Sequence, residues 1–205
     1  MITRNIILLG LTASLSACVS IFPDPDPAPT VYRLSSNFAA VDQSAAAELV
    51  RVDRPTASKV FSSNEIVVAN DGQKLSIVAE ANWAEAMPTL IQSSLIDALG
   101  SSSRFVGLTA TSGASTETRV NLAIQNFEAN FDNGADSAPL AVVSYRVTYT
   151  HAKDRKLLGT HTVRQTRRAS SINVSSIVSA IEAANQAAMT DVVQWMETRQ
   201  SRSGS

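Results

Sequence analysis

The stretch PLAVVSYRVTYTHAKDRKLLGTHTVRQTRR (Pro139–Arg168) constrains the fold more than any other part of the chain. Val143, Tyr145, Val147 and Tyr149 alternate with Ser144, Arg146, Thr148 and Thr150. Successive side chains of a strand point to opposite faces, so one face is apolar and the other polar. Leu158–Arg167 returns after a turn near Asp154–Arg155, which predicts an antiparallel pair laid over a core. In that register the numbers of facing residues sum to about 309, so His151 opposes Leu158 and His161 opposes Thr148.

Other segments supply the rest of a sheet and its cover. Short strands are predicted at Thr30–Ser35, Glu48–Pro55 and Arg104–Thr109. A hairpin of Glu65–Ala69 and Lys74–Ala79 closes around Asn-Asp-Gly, where glycine permits φ > 0. Thr118–Asn130 places Val120, Leu122 and Ile124 on one face. Asn82 and Glu85 resemble a capping box ahead of a helix carrying Met87, Leu90, Ile91, Leu95, Ala98 and Leu99 at helical spacing. Pro88 requires that helix to start a few residues late or to bend. A last helix puts Ile177, Ile181, Ala184, Ala188, Val192 and Trp195 on one stripe, and its alanines allow close approach to a sheet. The expected fold is α+β: one domain, a mixed, mostly antiparallel sheet of six or seven strands, and two amphipathic helices packed on one face.

The amino terminus reads as an export signal. Arg4 and the free amine precede the apolar run Ile6–Leu11, and small residues follow up to Ala17. The run is shorter than the roughly 20 apolar residues a membrane-spanning helix needs. Leu15-Ser16-Ala17-Cys18 resembles a bacterial lipobox, in which cleavage falls between Ala17 and Cys18 and the cysteine sulfur carries a diacylglycerol. Cys18 is the only cysteine of the 205 residues, so the mature chain holds no disulfide of its own. Val19, rather than Asp, follows it, which is the pattern of lipoproteins bound for the outer membrane. Pro23, Pro25, Pro27 and Pro29 make Ser20–Thr30 a stiff spacer rising about 3.1 Å per residue. The expected organisation is 1–17 cleaved lipoprotein signal peptide, 18–30 lipidated cysteine and tether, 31–198 domain, and 199–205 frayed tail.

Little in the chain points to chemistry. Cys18–Ser205 carries 16 basic and 18 acidic residues, a net charge of −2, which gives no electrostatic case for nucleic acid. There is no Gly-x-Ser-x-Gly elbow, no phosphate loop and no Gly-rich cradle. His151 and His161 are not a direct cross-strand pair, and zinc needs three or four convergent donors, so they read as surface histidines of strands. No catalytic residue, metal site or cofactor is expected. Arg146, Lys153, Arg155, Lys156 and Arg164 gather on the long hairpin: a solvated polar strand face, or a surface for an acidic partner or lipid headgroups.

Tyr32-Arg33-Leu34, then Asn82–Met87 opening a helix, the hairpin with Tyr145-Arg146-Val147-Thr148-Tyr149, and a last helix ending Val192-Val193-Gln194-Trp195-Met196 follow the lipobox and tether in order. In this order they resemble the ABC-type transport auxiliary lipoproteins, the PqiC-like group. Many members have Pro directly after Trp-Ala-Glu; here that slot is Ala86 and proline stands at 88. The resemblance implies an accessory role and no catalytic site. Its implied partners are an MCE-domain protein and the components of an inner-membrane ABC transporter, in a lipid transport system of the cell envelope. It also implies a periplasm-facing lipoprotein, membrane-bound through its lipid, with homo-oligomers allowed. The alternative is a periplasmic lipid-binding carrier with an internal apolar cavity of about 300–1,000 Å³. The first reading expects a filled core and an exposed strand edge or apolar patch. An envelope hydrolase would need a polar cleft with convergent acid, base or nucleophile.

Overall fold

The computed structural model describes residues 28–39, 41–42, 46–70 and 73–203. The signal, Cys18 and most of the tether therefore lie outside the described residues. Nine strands form one sheet: β1 (Thr30–Tyr32), β2 (Glu48–Val52), β3 (Thr56–Ala57), β4 (Glu65–Asn70), β5 (Lys74–Trp83), β6 (Phe105–Leu108), β7 (Thr118–Phe131), β8 (Leu140–His151) and β9 (Leu157–Arg168). The two helices are α1 (Met87–Gly100) and α2 (Val174–Ser203). Of the nine strands, β3 is one that the sequence does not mark; it is two residues long and follows directly on Pro55.

The sheet is organised around β7, its longest strand at 14 residues. One edge of β7 carries β2, β3 and β4 in succession, all parallel to it. The other edge carries β8 along its length, and β9 follows; both pairings are antiparallel. Outward from β2 lies β6, and outward from β4 lie β5 and then β1. The long ladders are antiparallel and the short ones mostly parallel. The predicted alternation is present: Val143, Tyr145, Val147 and Tyr149 are all buried beneath the helices.

Both helices cover the same face. Met87, Ile91, Leu95, Ala98 and Leu99 of α1 are buried, as are Ile177, Ile181, Ala184, Ala188 and Val192 of α2. Each large apolar side chain so removed from water contributes about 1.5–3 kcal/mol. No capping box forms: Asn82 belongs to β5, and α1 begins at Met87 behind Ala86, without a side-chain cap. The late start is the one Pro88 allows, since an early helical position needs no N–H partner. At the other end, Ser101 Oγ donates to the Ala98 carbonyl (2.7 Å). α2 is capped by Asn173, whose Oδ1 accepts the Ser176 N–H at 2.8 Å. Gly107 of β6 lets α1 come close, because a Cβ there would stand 3.1 Å from the Ile96 Cα.

Three further differences from expectation have local causes. The long hairpin pairs His161 with Val147 rather than Thr148, because its turn is centred earlier than expected, with His151 N–H bonded to the Lys156 carbonyl, and the irregularity between Tyr149 and Thr150 restores only part of the difference. Where a frayed tail from 199 is expected, α2 runs on to Ser203. The Arg199 guanidinium lies over the Trp195 ring, and Gln200 donates to Glu48, so the last turns have partners on the sheet and along the helix. In β5, the five steps from Ile77 to Asn82 face two steps of β4, and Glu80 takes a left-handed φ of 56° where the strand turns.

Candidate functional site

Three places concentrate polar or exposed groups: the helix–sheet interior, the sheet face away from the helices, and the outer edge of β5. In the interior, the Tyr145 hydroxyl donates to Asn185 Oδ1 at 2.7 Å, and Asn185 Nδ2 donates to Ser94 Oγ at 2.8 Å. All three residues are buried, so β8, α2 and α1 are tied side chain to side chain through the middle of the layer. Burial holds the Tyr145 hydroxyl well above the usual phenol range.

A second interior network closes the far end. Glu48 Oε1 accepts the Thr118 hydroxyl and the Tyr149 hydroxyl (2.6 Å), and Oε2 accepts Gln200 Nε2 at 2.8 Å. Burial, and then the carboxylate beside it, raise the Tyr149 hydroxyl above the phenol range. Nearby, His161 stacks on Trp195 with ring centroids 5.2 Å apart, and its Nε2 lies 2.9 Å from Asp191 Oδ1. His161 is thus half-covered by α2 rather than a surface residue; only His151 is exposed. Every one of these groups has a structural partner.

The predicted basic cluster is divided by the fold. Arg146 and Arg164 stand on the sheet face away from the helices, on neighbouring strands in register with Thr162 and Ser144. Arg164 donates to Asn126 Oδ1 at 3.1 Å. Lys153 and Lys156 are exposed at the hairpin turn. Arg155, at φ 59°, turns into an open hollow of about 300 Å³ with Asp53, Arg119, Asn121, Thr148 and Thr150. Asp53 is shared there by Arg51 (3.1 Å) and Arg119 (2.6 Å). On the same face burial raises the Glu128 carboxyl, against hydrogen bonds from Asn126 and the Phe127 N–H and the charge of Arg164. At the rim, the Arg168 guanidinium beside Asp132 holds that exposed carboxyl below the usual range.

The outer edge of β5 is the feature sequence reasoning left unlocated. β1 covers only Ala81–Trp83, and Leu75 and Ile77 stand 43% and 53% exposed. The alternation in Lys74–Ala79 was a signal for a strand, but an edge cannot be told from an interior position without the topology. Among the described residues no three of His, Cys, Asp and Glu gather as metal donors, and no helix is long and apolar enough to cross a membrane.

Fold and surface together define an α+β domain with one sheet face covered by helices, the other carrying Arg146 and Arg164, and, among the described residues, no strand on the outer edge of β5 over Lys74–Ala79. The chain belongs to the family described as ABC-type transport auxiliary lipoprotein component, which matches residues 32–193. The family is an auxiliary transport component rather than a family of enzymes. Among solved structures, protein XCC0632 from Xanthomonas campestris is similar, with a TM-score of 0.73 at 19% identity over 85% of this chain and 99% of its own. An uncharacterised protein gives 0.67 at 13% identity, covering 83% of this chain and 99% of its own. Protein CT253 from Chlamydia trachomatis gives 0.51 at 12% identity, covering 74% and 96%. At these identities the likeness is one of fold. No protein of curated function matches the sequence.

Proposed function

We propose that this chain is a periplasm-facing accessory lipoprotein of an ABC/MCE-type lipid transport system, anchored in the outer membrane through Cys18, which works by binding protein partners. Membership of an auxiliary lipoprotein family supports the accessory role. The observation that favours partner binding over lipid carriage is the Tyr145–Asn185–Ser94 chain. It crosses the helix–sheet layer where an acyl chain would have to lie, and apolar side chains fill the space around it. A bound acyl chain would cut those hydrogen bonds and leave buried polar groups without partners.

Docking then falls to the outside of the domain. The arginine-bearing face, with Arg146, Arg155 and Arg164, and the bare edge of β5 offer charge and backbone hydrogen bonds respectively. The anchor is tested by labelled palmitate: a Cys18→Ser chain should lose both the label and signal cleavage. The partners are tested by a crosslinked pull-down of the mature lipoprotein from membranes. Recovery of an MCE protein supports the proposal; repeated recovery of porins or peptidoglycan enzymes alone, or of nothing, removes it.

A further inference from the structure

The hollow on the open sheet face has a floor of four side chains set by strand register. Arg119 and Asn121 of β7 pair with Thr150 and Thr148 of β8. Asp53, whose N–H donates to the Val120 carbonyl at 3.0 Å, and Arg155 of the hairpin turn complete the lining. Both Asp53 oxygens are occupied within the protein. Oδ1 accepts from Arg51 Nε at 3.1 Å, and Oδ2 accepts from Arg119 Nε and Nη2 at 3.2 and 2.6 Å. The carboxylate so orients Arg119 while its Nη1 N–H groups keep no partner. Among the described residues the side chains of Asn121, Thr148, Thr150 and Arg155 make no hydrogen bond or ion pair. Six side chains line the place, and most of their donors point to nothing in the protein.

Charge is out of balance there. Three guanidiniums, Arg51, Arg119 and Arg155, meet one carboxylate, Asp53, an excess of two positive charges. Widening the count to the turn and the start of β7 adds Lys153 and Lys156 against Asp154 and Glu117, and the excess stays at two. The mature chain as a whole carries −2, so this excess is local rather than general basicity. Arg155 also stands at φ 59°, a conformation glycine adopts more readily, so the turn by itself does not call for an arginine. We propose that the hollow binds a phosphate monoester. Such a group carries about −1.5 to −2 at pH 7 and three strong acceptor oxygens, which matches the excess charge and the idle donors. The forks of Arg119 and Arg155 suit its oxygens, and Asn121, Thr148 and Thr150 donate from the floor. A carboxylate or a phosphate diester brings a single charge and matches half of the excess. The site gives the open face of the accessory lipoprotein proposed above a ligand chemistry and rests on that face being its working surface. Binding is measured on purified protein, so it can fail while the partner pull-down succeeds.

The test titrates the mature lipoprotein, arginine-labelled with ¹⁵N and held in uncharged detergent micelles, and follows the arginine Nε–H resonances. Three probes are used: inorganic phosphate, dihexanoyl phosphatidic acid, which is a monoester, and dihexanoyl phosphatidylglycerol, which is a diester. The expected result is saturable movement of the Arg119 and Arg155 signals with the monoester, and binding of the diester weaker by about tenfold or more. Arg155→Gln, which removes no contact within the fold, and Arg119→Gln should each weaken the monoester by about tenfold. Arg164→Gln should leave it unchanged, since Arg164 pairs with Ser144, four strand positions and about 13 Å from Thr148. Phosphatidic acid binding more tightly than inorganic phosphate assigns the hollow to a lipid headgroup; equal affinity assigns it to a soluble phosphate. The absence of saturation by either up to about 10 mM overturns the proposal. So does equal affinity for monoester and diester, or a loss at Arg164→Gln as large as at Arg155→Gln, which would mark a diffusely charged face.

Discussion

Tyr145→Phe removes one oxygen from the centre of the domain and nothing else. The hydroxyl is fully buried and supplies the 2.7 Å hydrogen bond that satisfies Asn185 Oδ1. Water cannot replace it without opening the helix–sheet layer. The variant therefore loses the net value of one hydrogen bond and leaves a buried amide oxygen unpaired, a cost of about 1–3 kcal/mol. For a domain of this size, a loss of about 2 kcal/mol lowers Tm by roughly 4–8 °C. Urea unfolding should show an earlier midpoint with an unchanged slope, the mark of altered stability rather than altered compactness. Asn185→Leu should cost more, since it strands both the Tyr145 and Ser94 hydroxyls. The triple change Tyr145→Phe, Asn185→Leu, Ser94→Ala should recover part of that loss, because apolar groups of similar shape replace a polar network at little cost. A Tyr145→Phe variant within about 0.5 kcal/mol of the native chain, or strict additivity across the three sites, would refute the bridge as a cooperative unit.

Three more outcomes follow from individual residues. Glu128 is raised by burial, so the folded chain holds its proton more tightly than the unfolded one; stability should fall as pH rises from about 4 toward neutral, and Glu128→Gln should flatten that decline in chemical denaturation at a series of pH values. Gly159→Ala would place a Cβ 3.0 Å from Trp195 Cζ2; it should cost about 1–3 kcal/mol and change the tryptophan fluorescence as the indole leaves His161. Arg155→Gly relieves a left-handed residue at an exposed turn and should raise stability by up to about 1 kcal/mol in thermal unfolding.

Period-two alternation made β8 and β9 readable, because one face of each ladder is decided by burial. The α1 and α2 stripes were readable for the same reason at helical spacing. What local pattern did not carry is whatever depends on distant partners. Asn82 and Glu85 have capping chemistry, but pairing of Asn82 with Glu65 and Val31 takes it into β5. His161 looks like a surface histidine until α2 is laid across it. Glu48 gathers hydroxyls and an amide from residues 70, 101 and 152 positions away, and nothing in its own segment announces them. The basic hairpin was visible as composition; its division between a flat face, a hollow and a turn needed the register.

The arrangement around β7 has a mechanical consequence. β2 meets one end of that strand and β4 the other, along the same edge, and among the described residues these two flanks do not pair with each other. They are wings hung on a shared spar, joined otherwise by the connecting chain that carries β3. A pull applied at the β5 rim is delivered first to the C-terminal half of β7, where β4 is attached, and only through β7 itself to the N-terminal half that carries β2, with β8 backing both halves. Such a body can yield on the side where it is gripped and keep its shape on the other.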